Sequence, residues 1–174
     1  VMQLRRLLGP SAVLTETGRY RLGLAVRTDV QEFEALIGEA LARDDPQRRA
    51  AVLARALRLW RGDPYAELDD WLAAIGEARR LHELRAQAQE MRAEALIDAG
   101  MQGDCIAELE AMVVENPWRE RRWELLMLAL YQVGRQAEAL RAYQRCRSVL
   151  IEQLGVEPGT TLRALEVAIL QRDP

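Results

Sequence analysis

The stretch Trp123-Glu-Leu-Leu-Met-Leu-Ala-Leu-Tyr-Gln-Val-Gly-Arg-Gln-Ala-Glu-Ala-Leu-Arg-Ala-Tyr143 decides the fold. Leu126 and Leu130 recur at helical spacing, Gly134 stops the helix, and apolar positions resume at Ala139 and Tyr143. Two helices joined by so short a turn pack antiparallel. Ala99-Gly100 occupies the same kind of turn, its glycine 34 residues ahead of Gly134. A turn that recurs at this interval implies a helical hairpin stacked on a related one.

That period is the one of a tetratricopeptide repeat. Trp123, Leu126, Leu130, Gly134, Ala139 and Tyr143 fall on its tryptophan, leucine, aromatic, glycine, alanine and aromatic positions. In the preceding unit Leu96, Gly100, Leu109 and Pro117 match, with Gln89 in place of the tryptophan and Cys105 in place of the small alanine. Small residues let paired helices approach, and large ones fill the groove between units. Before Gly76 the pattern fades, so any earlier repeat is irregular.

Working outward, a helix is expected after Asp29 as N-cap, with Glu32 at the capping-box position and Phe33, Leu36, Ile37, Ala40 and Leu41 as its apolar stripe. Pro46 opens the next helix, which is expected to run to Trp60 and bury Val52, Leu53, Ala56, Leu57 and Trp60. A short helix around Trp71 and a long one from about Gly76 to Ala99 follow. Further helices are expected at about Gln102 to Glu115, Arg119 to Val133 and Gln136 to Leu154, with a last one opened by Pro158 and ending near Gln171.

The first residues differ. Val1, Leu4, Leu7 and Leu8 share one helical face, Arg5 and Arg6 point elsewhere, and Gly9-Pro10 ends the helix. Val13-Leu-Thr15 and Tyr20-Arg-Leu22 alternate around Glu16-Thr-Gly-Arg19, the pattern of a short β-hairpin. Tyr20 is expected to pack beneath it.

Of 174 residues, 49% are apolar and 29% charged, the balance of a globular chain with a core. There is no uncharged apolar run long enough for a membrane helix and no secretory pattern at the first residues. Two cysteines and one histidine supply neither a disulfide framework nor a zinc cluster, and a reducing cytoplasm is the expected compartment. No phosphate loop, nucleophile motif or metal set points to an enzyme, and no cofactor or small-molecule substrate is expected. The net charge of -3 is uneven: residues 1–28 carry +4 and the remainder -7. A basic head on an acidic body fits a nucleic-acid contact joined to a protein-binding module. The opening Val1 in a mid-helix pattern leads us to expect a piece of a longer protein.

Several stretches resemble one family. Ala56-Leu-Arg-Leu-Trp-Arg-Gly-Asp-Pro64, Asn116-Pro-Trp-Arg-Glu120, Leu126 through Leu140 and Leu150-Ile-Glu-Gln-Leu-Gly-Val-Glu-Pro158 are similar to the bacterial transcriptional activator domain. This is the helical domain of the Streptomyces antibiotic regulatory protein family and its actinobacterial relatives, and the likeness spans about residues 28 to 171. Leu4-Arg-Arg-Leu-Leu-Gly-Pro10 with Thr17-Gly-Arg-Tyr-Arg-Leu22 resembles the end of a response-regulator-type winged helix, which precedes the helical domain in that family. The resemblance implies an all-α, tetratricopeptide-like right-handed helical array over residues 28–174. Ahead of it, residues 1–27 would be a partial winged helix, the end of a recognition helix plus a wing. It further implies an activator that binds promoter direct repeats, pairs as a homodimer and engages RNA polymerase. On that basis Arg5, Arg6, Arg19 and, less strongly, Arg21 are the DNA-contact candidates.

Trp118, at a loop-to-helix junction, is the candidate protein-interface anchor, whereas Trp60 and Trp123 are expected in the core. Arg79, Arg80, Arg85 and Arg92 alternate with Glu77, Glu83, Glu90 and Glu94, which predicts ion pairs along one helix surface. His82 is expected at the surface, and Cys105 and Cys146 as small buried hydrophobes. The competing possibility is a tetratricopeptide-type scaffold without DNA function. The apolar character of Arg119 to Val133 disfavours a charged-peptide clamp there.

Overall fold

A computed structural model describes residues 1–23, 26–68 and 70–172. It begins with α1 (Met2–Leu8) and a two-stranded antiparallel hairpin, β1 (Val13–Glu16) and β2 (Arg19–Leu22). Seven helices follow: α2 (Asp29–Leu41), α3 (Pro46–Leu57), α4 (Leu72–Asp98), α5 (Ile106–Glu115), α6 (Glu120–Gln132), α7 (Gln136–Leu154) and α8 (Thr160–Gln171). A single 3-10 turn, Gln102–Asp104, leads into α5.

Local chemistry sets these bounds. Thr28 caps α2: its hydroxyl accepts from the Gln31 amide at 3.2 Å, and the Gln31 side chain accepts from the Thr28 amide at 3.1 Å. The capping box therefore sits one residue ahead of the expected Asp29/Glu32 pair. Asp45 caps α3, with Pro46 at the first helical position. The helix ends at Leu57 rather than Trp60. No separate helix surrounds Trp71; that residue is the N-cap of α4, which starts a turn before Gly76. A glycine inside a helix costs only about 1 kcal/mol, and α4 absorbs it along its 27 residues.

The two turns 34 residues apart are built alike. Gly100 and Gly134 both adopt left-handed backbone, φ 72° and 80°. Gly100 N donates to Ile97 O and Met101 N to Leu96 O; Gly134 N donates to Tyr131 O and Arg135 N to Leu130 O, all between 2.8 and 3.0 Å. Each is a Schellman closure, in which a residue without Cβ turns left and satisfies the last carbonyls of its helix.

The apolar core divides in two. The smaller cluster joins α2 and α3 to the middle of α4 through Phe33, Leu36, Leu53 and Ala88. The larger runs from the end of α4 through α8, with Leu109, Leu126, Met127, Leu130, Leu150 and Ile169 fully buried. Trp123 is buried in it, and its indole donates to Pro117 O at 2.9 Å. Cys105 and Cys146 lie in the same core, where burial pushes their thiols up to about 11 and about 12. Trp60 is half-buried, edge-on to Phe33 at 5.6 Å with Arg85 over its ring, and His82 is exposed beside it. No helix among the described residues is long and apolar enough to cross a membrane.

Candidate nucleic-acid interface

The N-terminal unit is a helix fastened across a hairpin. β1 and β2 pair from Val13↔Leu22 to Glu16↔Arg19. Thr17 and Gly18 close the turn with φ of 45° and 77°, the positive angles that match strand twist in a two-residue hairpin. Arg5 reaches from α1 to β1: its Nε donates to Val13 O at 2.8 Å and its Nη2 to Thr15 Oγ1 at 2.6 Å.

This divides the four candidate arginines. Arg5 spends its guanidinium on holding α1 to the hairpin. Arg21 is paired with Glu16 at 2.7 Å. Arg6 and Arg19 are exposed and have no carboxylate partner among the described residues, so of the four candidates they are the two left open to a phosphate. Tyr20 is exposed rather than packed beneath the hairpin, because all of β2 faces solvent. No residue of α1 is buried, and Leu4, Leu7 and Leu8 stand exposed.

Trp118 is 54% exposed, and its Nε1 donates to Gln153 Oε1 on α7 at 2.7 Å. It thus presents one face of its ring on the side where α7 meets the α5–α6 junction.

The arginine-rich part of α4 forms a network that helical spacing alone did not reveal. Arg80 does pair with Glu77 on the same helix, but also with Glu34 on α2 at 2.6 Å. Arg92 pairs with Glu108 of α5, and Arg121 with Glu94 at 2.6 Å. Arg119 donates to Glu90 and to Glu83, both at 2.7 Å. These bonds, Glu90's foremost, push the Arg119 guanidinium above its ordinary range, and the Arg119 bond holds the Glu83 carboxyl below its own. Arg122, its side chain only 3% exposed, is satisfied by Glu90, Glu115 and Met112 O. The expected surface pairs are therefore largely bonds between helices. Among the described residues no group of three or more His, Cys, Asp or Glu is placed to hold a metal ion.

A cavity of about 680 Å³ lies where Leu22 of β2 meets the start of α2 and the segment after α3, walled by Phe33, Leu59, Trp60, Tyr65 and Leu81. It places the C-terminal end of α3 next to the hairpin.

A helix-and-hairpin unit leading into seven further helices defines the class: a mostly helical domain behind a small α/β piece. Residues 28–170 match the bacterial transcriptional activator domain, and the chain belongs to that family. It is 38% identical over 177 residues to regulatory protein AfsR of Streptomyces coelicolor, covering 99% of this chain and 18% of that protein. It is 39% identical over 184 residues to transcriptional regulatory protein EmbR of Mycobacterium tuberculosis, covering 100% of this chain and 47% of that one. The structure of Mycobacterium tuberculosis EmbR in complex with a low-affinity phosphopeptide superimposes with a TM-score of 0.89 at 35% identity, over 99% of this chain and 48% of that chain. The chain thus spans less than half the length of either relative.

Proposed function

We propose that this chain is part of a DNA-binding transcriptional activator. α1 and the hairpin are the C-terminal part of its winged-helix domain, with α1 the end of the recognition helix and β1–β2 the wing. Residues 28–174 are a tetratricopeptide-like effector that mediates homodimer contacts and recruits RNA polymerase to promoters bearing direct repeats. The protein acts in the cytoplasm without a catalytic step or cofactor.

The observation that carries this reading is the juxtaposition of the two parts. A helix clasped to a hairpin by Arg5, with Arg6 and Arg19 open, stands directly ahead of the family-matched residues 28–170. Arginines opposite a phosphate backbone supply affinity and register, whereas bases are read by side chains in the groove. The scaffold alternative is disfavoured because Arg119 and Arg122, the cations at the start of α6 that a charged-peptide clamp there would use, are already held by Glu83, Glu90 and Glu115.

The test is recruitment by a protein that carries a complete winged-helix domain ahead of residue 1. We expect it to shift a direct-repeat promoter fragment and to recruit RNA polymerase there. Deletion of residues 29–174 should abolish recruitment, and recruitment that survives the deletion refutes the effector assignment.

A further inference from the structure

Twelve of the 24 arginines pair with carboxylates among the described residues, but around α3 acidic partners are sparse. Residues 46–62 contain five arginines and no acidic residue. Arg49 pairs with Asp98 and Arg61 with Asp29. The other three, Arg48, Arg55 and Arg58, are exposed and lack a carboxylate within ion-pair distance among the described residues. Asp45, the acid just ahead of them, spends its carboxylate on the Arg48 backbone amide as the helix cap.

The three share one face. At about 100° per residue they fall within an arc of roughly 80°, pointing away from the side that buries Val52, Leu53 and Ala56. At about 1.5 Å per residue the stripe is roughly 15 Å long. The residue between them on that face is Ala51, exposed and too small to screen them. No large exposed apolar side chain comes from α3. A protein partner needs an apolar, desolvated centre to its interface, and this face offers none. A polyanion needs only charge, and duplex DNA carries one phosphate per about 1.7 Å of axis, more than the stripe has arginines to meet.

We propose that the outer face of α3 is a second, sequence-independent contact to duplex DNA, made by Arg48, Arg55 and Arg58 to the phosphate backbone. Arg58, at one end of the stripe, directly precedes Leu59, which lines the cavity that Leu22 of the hairpin also lines. The choice of duplex DNA as partner rests on the regulator reading above; the stripe itself does not.

The test measures binding of this chain to a random-sequence duplex as a function of salt. Each phosphate contact contributes about 0.9 to the slope of log affinity against log salt, so R48Q/R55Q/R58Q should flatten it by about 2.7. R48K/R55K/R58K should keep the slope of the unaltered chain. All variants should retain its circular dichroism, since none touches the core. An unchanged slope in the glutamine variant overturns the proposal, as does binding of polyglutamate in preference to the duplex. A parallel R6Q/R19Q variant separates the two readings: loss of slope there but not in the α3 variant leaves the winged-helix reading standing and removes this one. Loss in the α3 variant alone does the reverse.

Discussion

α1 and α6 both carry adjacent arginines and several large apolar residues, yet the structure uses them in opposite ways. In α6 seven residues are buried, and Arg122 is drawn into the core by Glu90, Glu115 and a backbone carbonyl. In α1 no residue is buried, its leucines are open, and only Arg5 is engaged. The difference shows that an arginine pair acquires its role from what the fold places opposite it. Where carboxylates from a neighbouring helix face it, it becomes part of the scaffold; where none does, it stays available to an outside anion.

The largest loss of stability is expected at the buried residues of α6, Arg122 first. Arg122→Ala empties a buried site, although Arg119 still holds Glu90, and should cost about 2–5 kcal/mol in chemical denaturation. Arg122→Met, which refills the site and leaves Glu90 paired with Arg119, should recover most of that loss, and failure to recover would mean the arginine contributes more than packing. Leu126→Ala, in the centre of α6 and fully buried, should cost about 2–5 kcal/mol by the same measurement. Gly134→Ala and Gly100→Ala force a side chain into left-handed backbone and should each cost about 1–2 kcal/mol. Because an added Cβ meets nothing within 4 Å at either position, the two losses should be nearly equal. Unequal losses would show that the matched turns are not equivalent parts of a repeat. At the small end, Leu7→Ala on α1 should change stability by less than about 0.5 kcal/mol, since Leu7 is 77% exposed.

Much of the helical array was legible in the sequence because its constraints are local. Gly100 and Gly134 mark turns that require positive φ, and α7 begins and ends where its apolar period does. The hairpin was legible from its alternation and from Thr17-Gly18 at the turn. Bounds failed where two local signals compete: Thr28/Gln31 and Asp29/Glu32 have the same capping-box spacing, and only the backbone decides between them. The candidate site was legible as a set of arginines but not as a division of labour. Arg5 meets Val13 and Thr15 through a chain reversal, and Glu90 meets Arg119 and Arg122 from about thirty residues away. Helical spacing reports neighbours three or four residues apart and is blind to such pairs. The outward stripe on α3 was missed for the converse reason, since an unpaired charge is recognised only when its surroundings are known.

Neither α1 nor the hairpin packs extensively against any later helix among the described residues. We propose that the chain divides near residue 28 into a self-sufficient helical array and a unit whose exposed faces serve contacts outside it. Thermal unfolding of a chain shortened to residues 28–174 tests this most directly. We expect one cooperative transition within about 3 °C of that of the full chain, the shift that corresponds to roughly 1 kcal/mol in a domain of this size. A transition that broadens or falls by tens of degrees would show that α1 and the hairpin are part of the array's own core, and would contradict the division.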